Sequence, residues 1–147
     1  MERTLIIVKP DAVERRLVGE IIQRLEKKAL KIIGLKLEKL ARETVEKHYE
    51  EHRERPFFGE LVEFMSGGPV VLLAVEGPGA VAVCRKLVGA TAAYEADPGS
   101  LRGDLGLSKQ FNLVHASDSL RAAERELSLF FEEREIEEYT LPDEAWW

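Results

Sequence analysis

Apolar residues fall into two kinds of run along this chain. Thr4-Leu5-Ile6-Ile7-Val8 and Val70 to Val75 are continuous apolar stretches, the pattern of strands buried on both faces. Ile33, Leu35 and Leu37 alternate with Gly34, Lys36 and Glu38, which predicts a strand with one wet face. Phe111 to His115 reads as a fourth, short strand. Elsewhere the period lengthens. Leu17, Ile21, Leu25 and Ala29 recur every fourth residue with Val18 and Ile22 beside them, one face of an amphipathic helix. A charged helix is expected near Arg42 to Arg53, with Pro56 as its stop. A short helix over Phe58 to Met65 is closed by Ser66-Gly67-Gly68-Pro69. Ala80 to Val88 is helical in pattern, and Leu120, Ala123, Leu127 and Phe130 mark a last helix. Lys9-Pro10-Asp11 ends the first strand, because proline removes a ladder donor. Gly89 to Gln110 shows no period and contains Pro98, Gly99, Gly103 and Gly106. It reads as a long loop, and loops that long inside compact domains usually carry function.

The order is strand, helix, strand, two helices, strand, helix, strand, helix. Two βαβ-like units of this size predict an α+β fold, a ferredoxin-like sandwich: a four-stranded antiparallel sheet with helices packed on it, the first and third strands central. The 147 residues, 45% hydrophobic and 33% charged, fit one domain over residues 1–147. No stretch approaches the roughly 20 apolar residues of a membrane helix, and the N-terminus carries no signal-peptide pattern. A single cysteine, Cys84, cannot form an internal disulfide, so a reducing, cytoplasmic location is expected. The net charge of −6 argues against nucleic acid as a partner. It also means that an anionic ligand needs local cations.

His115 is the sharpest candidate for chemistry. It stands at a strand end, just before Ala116-Ser117-Asp118-Ser119, which opens a helix that Ser117 or Ser119 can cap. A helix N-terminus suits phosphate, and a neutral imidazole there can attack phosphorus and carry the group covalently. The plainer reading is a histidine that completes a strand. Lys9, Arg85 and Arg102 are candidate cations, since guanidinium forks grip phosphate bidentately and lysine acts as a point charge. Taken singly, each is expected to be a solvated surface charge. Phe57 and Phe58 follow Arg55-Pro56. An aromatic there can stack on a nucleobase without choosing among bases, whereas Phe58 is expected in the core. His48-Tyr49-Glu50-Glu51-His52 matches the inverted zinc-protease pattern H-x-x-E-H. Five residues in a Glu-rich helix meet that pattern by chance, and no third ligand is picked out, so zinc is not expected.

Together these segments resemble the nucleoside diphosphate kinase family, from Glu2 to about Phe131. The resemblance rests on Val8-Lys9-Pro10-Asp11, Leu17-Val18-Gly19-Glu20-Ile21-Ile22, His48-Tyr49, Arg55-Pro56-Phe57-Phe58, Ser66-Gly67-Gly68-Pro69-Val70-Val71, Pro98-Gly99-Ser100-Leu101-Arg102-Gly103-Asp104 and Asn112-Leu113-Val114-His115-Ala116-Ser117-Asp118-Ser119, in that order. It implies a ping-pong reaction in which a nucleoside triphosphate, ATP or GTP among others, phosphorylates His115 on Nδ1 and a nucleoside diphosphate takes the group away. By the same resemblance Glu126 bonds the other ring nitrogen with Ser117 in support, Phe57 stacks on the base, and Tyr49 braces the site. Lys9, Arg85, Thr91, Arg102 and Asn112 hold phosphates and ribose. The implied cofactor is Mg²⁺, carried by the nucleotide phosphates with no direct protein ligand and within reach of Asp118 through water. A homo-oligomer is implied, a hexamer first. The alternative is a nucleotide-binding relative with a sensing or scaffolding role and little turnover. Two features stand out against this pattern. In a straight strand Asn112 and His115 face opposite sides, so Asn112 is expected to precede the regular strand. Alanine stands at Ala12 and Ala116 where the family usually has glycine. An ordinary negative φ is expected at Ala116, with its N–H aimed at a phosphate at the helix start.

Overall fold

A computed structural model describes all of residues 1–147. The chain runs β1 (Glu2–Val8), α1 (Pro10–Glu14), α2 (Val18–Lys27), β2 (Lys31–Lys39), α3 (Arg42–His48), α4 (Phe58–Ser66), β3 (Pro69–Gly77), α5 (Ala80–Val88), α6 (Leu101–Leu105), β4 (Val114–Ala116) and α7 (Leu120–Phe130). The four strands form one sheet in the order β2-β3-β1-β4, every neighbouring pair antiparallel. The ferredoxin-like α+β fold is therefore present, and the two continuous apolar strands occupy its centre.

Side-chain alternation divides the core between the two faces of the sheet. Ile6, Val8, Val71, Leu73 and Val75 point to one face, where they meet Ala12, Ile21, Leu25, Ala80 and Cys84 from α1, α2 and α5. Leu5, Ile7, Val70, Leu72 and Ala74 point to the other, against Val45, Val62, Met65 and Phe130 from α3, α4 and α7. Both faces are covered, which is why β1 and β3 are apolar without interruption. β2 lies at one edge and its Leu35 and Leu37 are exposed. The C-terminal residues fold back near it. The Trp147 indole donates to the Ala29 carbonyl at 2.9 Å, and Lys31 is ion-paired with Glu76 and Glu144. Trp146 stays exposed.

Several boundaries differ from the periodic reading. The segment after Lys9 is a short helix, α1. The helix expected over 42–53 breaks at Tyr49 and resumes as a 3₁₀ turn over Glu50–His52, so His48 and His52 no longer share one helical face. The long aperiodic segment holds a 3₁₀ turn over Ala93–Glu95 and the helix α6, capped by the Ser100 hydroxyl on the Gly103 N–H at 3.0 Å. A Cβ on Gly103 would stand 1.9 Å from the Asp97 carbonyl oxygen, so this tight return needs glycine. Glycine and proline had hidden the helix by masking its period. β4 is shorter and later than expected, beginning at Val114. Asn112 precedes it, as the parity argument required. Ala116 is absent from the residues of positive φ, but it lies inside β4, opposite Ile6, and not at the helix start. Ser119, not Ser117, caps α7, accepting from the Ala122 N–H at 3.0 Å.

Ala29 explains the remaining difference. It does not continue the stripe of α2 but stands beyond its end with φ of 65°. The Leu30 N–H returns to the Leu25 carbonyl at 3.2 Å and the Ala29 N–H to Glu26 at 2.9 Å. That bond pair closes a helix at a left-handed residue, a place where glycine is favoured. The alanine Cβ costs about 1 kcal/mol there. Ala29→Gly is therefore expected to stabilise the protein and raise its melting temperature by roughly 2–4 °C. Thermal unfolding of the two proteins side by side checks this, and a lower midpoint in the glycine variant would contradict it.

Candidate active site

His115 sits in the middle of β4, opposite Ile7. Directly opposed residues share a face of the sheet, so its ring points toward α3 and α7 while Val114 and Ala116 enter the other core. Nε2 of His115 lies 2.8 Å from Oε1 of Glu126. The Ser117 hydroxyl donates to the same oxygen at 2.7 Å and accepts the Leu5 N–H at 3.3 Å. Burial alone would raise the Glu126 carboxyl, but its hydrogen bonds from His115 and Ser117 outweigh that and hold it below the usual carboxylate range. An ionised carboxylate only accepts. The proton between the two side chains therefore belongs to Nε2, and the Nδ1 lone pair is left free.

Behind this ring stands His48, buried at the end of α3, with its centroid 4.7 Å from His115, 4.4 Å from Tyr49 and 5.2 Å from Phe130. Neither of its nitrogens has a hydrogen-bond partner. Burial, then repulsion from His115, lowers it to about 3, so it is a neutral wall. Burial pushes the Tyr49 phenol up. Arg125 of α7 donates to the carbonyls of Lys47 and His48 at 3.3 and 3.1 Å, which pins the end of α3 and suits its negative dipole end.

The cations form the opposite side. Lys9 Nζ donates to Asn112 Oδ1 at 2.8 Å, and Asn112 Nδ2 donates to the Thr91 carbonyl at 2.9 Å. Arg102 is buried, not solvated as expected of it singly. Its guanidinium donates to the carbonyls of Asn112, Gly89 and Val114. Arg85 reaches the Ala116 carbonyl at 3.2 Å. Burial, then Arg102, lowers the Lys9 ammonium to about 8, with Asp11 opposing. Burial, then Arg85, lowers Arg102 to about 10, again with Asp11 opposing. Phe57 is exposed at the mouth, its ring 5.6 Å from His52, which in turn lies 6.5 Å from Tyr49. Phe58 is half-buried against the core, as expected.

Asp11, His48 and Arg125 were not picked out from the sequence as parts of this site. Both Asp11 and His48 stand in segments that carry the family resemblance, but beyond that Asp11 reads as the end of a strand and His48 as half of a chance zinc pattern, neither with a role in the site. Arg125 looked like any charge on an amphipathic helix. His48, His115 and Glu126 do bring ligating atoms within 4.8 Å of one another, but two of the three are already joined by the bond that frees Nδ1. The other wall is cationic. It repels a bare metal ion and suits one that arrives on phosphate.

The Nucleoside diphosphate kinase family model matches residues 2–136. The chain is 56% identical over 146 residues to the nucleoside diphosphate kinase of Archaeoglobus fulgidus, covering 99% of this chain and 97% of that one. It is 50% identical to that of Staphylococcus aureus, covering 99% and 98%. Among solved structures, a halophilic nucleoside diphosphate kinase from Halobacterium salinarum in complex with CDP superposes with a TM-score of 0.96 at 44% identity, covering 99% of this chain and 97% of that one. A nucleoside diphosphate kinase family protein from Babesia bovis superposes with a TM-score of 0.97 at 45% identity, covering 99% of both.

The lowered Lys9 gives two trends of opposite sign. Binding of a nucleoside diphosphate to the free site should weaken as pH rises through about 8, where the ammonium loses its proton. Stability should respond the other way. Between about 8 and the ordinary lysine value of roughly 10.4, the unfolded chain binds more protons at this position than the folded one, so the Lys9 contribution to stability rises with pH. Calorimetric binding and denaturant unfolding across pH 7–10, each compared with Lys9→Met, separate the two. An affinity that stays level through pH 9 would return Lys9 to an ordinary ammonium.

Proposed function

Because the chain belongs to the nucleoside diphosphate kinase family, and so transfers the terminal phosphoryl group of a nucleoside triphosphate to a nucleoside diphosphate, we propose that His115 carries that group between the two nucleotides. The observation that supports this most is the bond from Nε2 to Glu126, which leaves Nδ1 as a free nucleophile. The Nδ1 lone pair attacks the terminal phosphorus. The bond from that phosphorus to the bridging oxygen breaks, and the nucleoside diphosphate leaves with the electron pair. The ring becomes cationic, and Glu126 stabilises it while its proton stays on Nε2. A second nucleoside diphosphate then attacks the phosphorus along the reverse path. Phosphoryl transfer depends on positioning and charge stabilisation more than on many covalent helpers. Lys9, Arg85 and Arg102 supply the charge, Asn112 and Thr91 hold phosphate or ribose, and Tyr49 braces the wall behind His115. Phe57 stacks on the base. The nucleoside diphosphate in the Halobacterium relative is the class of ligand proposed here.

The family implies a divalent cation bound to the nucleotide, and the cationic wall suits the phosphates that would carry it rather than the ion itself. We assign it as Mg²⁺, which supplies further neutralisation of the phosphate charge, with exposed Asp118 offering a contact through water. No helix is long and apolar enough to cross a membrane. A cytoplasmic location is proposed on the unpaired, buried thiol of Cys84.

Two experiments test these readings. Incubation with ATP and Mg²⁺ should give an acid-labile, base-stable phosphoenzyme that disappears in His115→Ala; label that survives the substitution would move the nucleophile elsewhere. A homo-oligomer, a hexamer first, is proposed on the family resemblance, and Leu35 and Leu37 on the edge strand and Trp146 in the tail stand exposed and free to pack in it. Light scattering at micromolar concentration should then report a mass near six times 16.6 kDa, and a monomer mass would refute assembly.

A further inference from the structure

Leu113 is fully buried and has φ of 73°. The Val114 N–H returns to the Asn112 carbonyl at 2.8 Å. These three residues therefore close a γ-turn around a residue of positive φ, a rare and strained form. Strain of this kind persists only where the surroundings over-determine it. The turn also has a purpose legible from parity. Asn112 and His115 are three residues apart, so a regular strand would send them to opposite faces. The turn resets the chain just before β4 and lets Asn112 meet Lys9 while His115 meets Glu126.

Three groups hold the turn from outside. The Lys9 N–H donates to the Leu113 carbonyl at 2.9 Å, and Arg102 Nε donates to the Asn112 carbonyl at 3.0 Å. Both come from residues already placed among the cations. The third is Asp11 in α1, whose Oδ2 accepts the Leu113 N–H at 3.1 Å. Its other oxygen is buried without a partner, an expensive arrangement for a carboxylate. Asp11 is also the acidic group that faces Lys9 and Arg102 together.

We propose that Asp11 is a positioning residue for phosphoryl transfer: by holding the Leu113 N–H it fixes the strained turn that sets Asn112 and His115 in one site. The inference rests on His115 as the phosphoryl carrier. It predicts a defect in the chemical step more than in nucleotide binding, because Asp11 holds the wall on which the reacting groups stand.

The test is single-turnover phosphorylation of His115 by ATP and Mg²⁺ in the full chain, with kcat and KM measured alongside. Asp11→Ala removes the acceptor and should slow the step roughly 10²-fold, the effect of about an ångström of misplacement, with KM changed far less. Asp11→Asn keeps a carbonyl acceptor for the Leu113 N–H and should recover most of that loss. A residue that merely stabilised the fold would change the melting temperature without this split or this rescue. Should the alanine variant fail to fold, Asp11→Glu retains the charge but displaces the acceptor, and should lose rate while keeping affinity. The proposal is overturned if the alanine variant, or the glutamate variant in its place, phosphorylates at the wild-type rate. An asparagine variant as slow as the alanine one also overturns it. A wild-type protein not labelled at His115 would overturn the reading of the site and this inference with it. Label on His115 at equal rates in wild type and Asp11→Ala overturns the inference alone.

Discussion

Much of this structure follows from one buried carboxylate. Glu126 shares the inward face of α7 with Ala123 and Phe130, where an apolar side chain would be the ordinary choice. An ionised carboxylate is tolerated there only if its hydrogen bonds replace the water it has lost. Its Oε1 receives two, from Ser117 and His115. Ser117 is itself oriented by the Leu5 N–H of the central strand. The polarity of the chain is thus set in one direction, from the sheet backbone through the hydroxyl to the carboxylate, and the imidazole has only one tautomer that completes it. The rule that a buried charge must be satisfied also determines which ring nitrogen carries the proton and which keeps its lone pair.

A second constraint comes from the position of β4 at the edge of the sheet. Its pairing with β1 uses one side of the strand. The carbonyls of Val114 and Ala116 face away, where an open edge would invite another strand. Arg102 and Arg85 take those carbonyls. The edge is blunted by guanidinium groups rather than by a neighbouring strand, and the same groups become the positive wall beside His115. Arg102 also ties Gly89 and Asn112 together, so the connection between α5 and β4 closes on this one arginine.

What was legible in the sequence divides along the same physical line. β1, β3 and the stripe of α2 announce themselves, because burial on two faces or on one imposes a local period. Positions governed by backbone conformation did not. Ala29 carries the right residue type for the stripe, yet it turns left-handed beyond the helix end. Leu113 looks like any strand residue. α6 lies among glycines that serve close packing, at Gly103 and Gly106, or a positive φ, at Gly99. Site residues were legible where their chemistry is unusual for their place, as with His115 in a short apolar strand that leads into a polar run. The link between His115 and Glu126 entered only through the family resemblance, since it forms when α7 folds back along β1. Asp11 and Arg125 act on backbone groups far away in sequence, and no local pattern marks such a role.

The charge of the molecule gives the site its remaining logic. The chain is anionic overall, at −6, yet Lys9 and Arg102 are crowded together and partly stripped of water. Burial lowers both, with repulsion from Arg102 acting on Lys9 and repulsion from Arg85 acting on Arg102, and Asp11 answers them without a direct ion pair. Cations in that condition gain more from an incoming phosphate than solvated surface cations would, because their hydration has already been given up during folding. A fully paired wall would make the free protein more stable but would leave no unmet charge for a nucleotide to satisfy. With Lys9 and Arg102 facing the single carboxylate of Asp11, the wall keeps unmet positive charge after folding, the condition that the proposed phosphate ligand would satisfy.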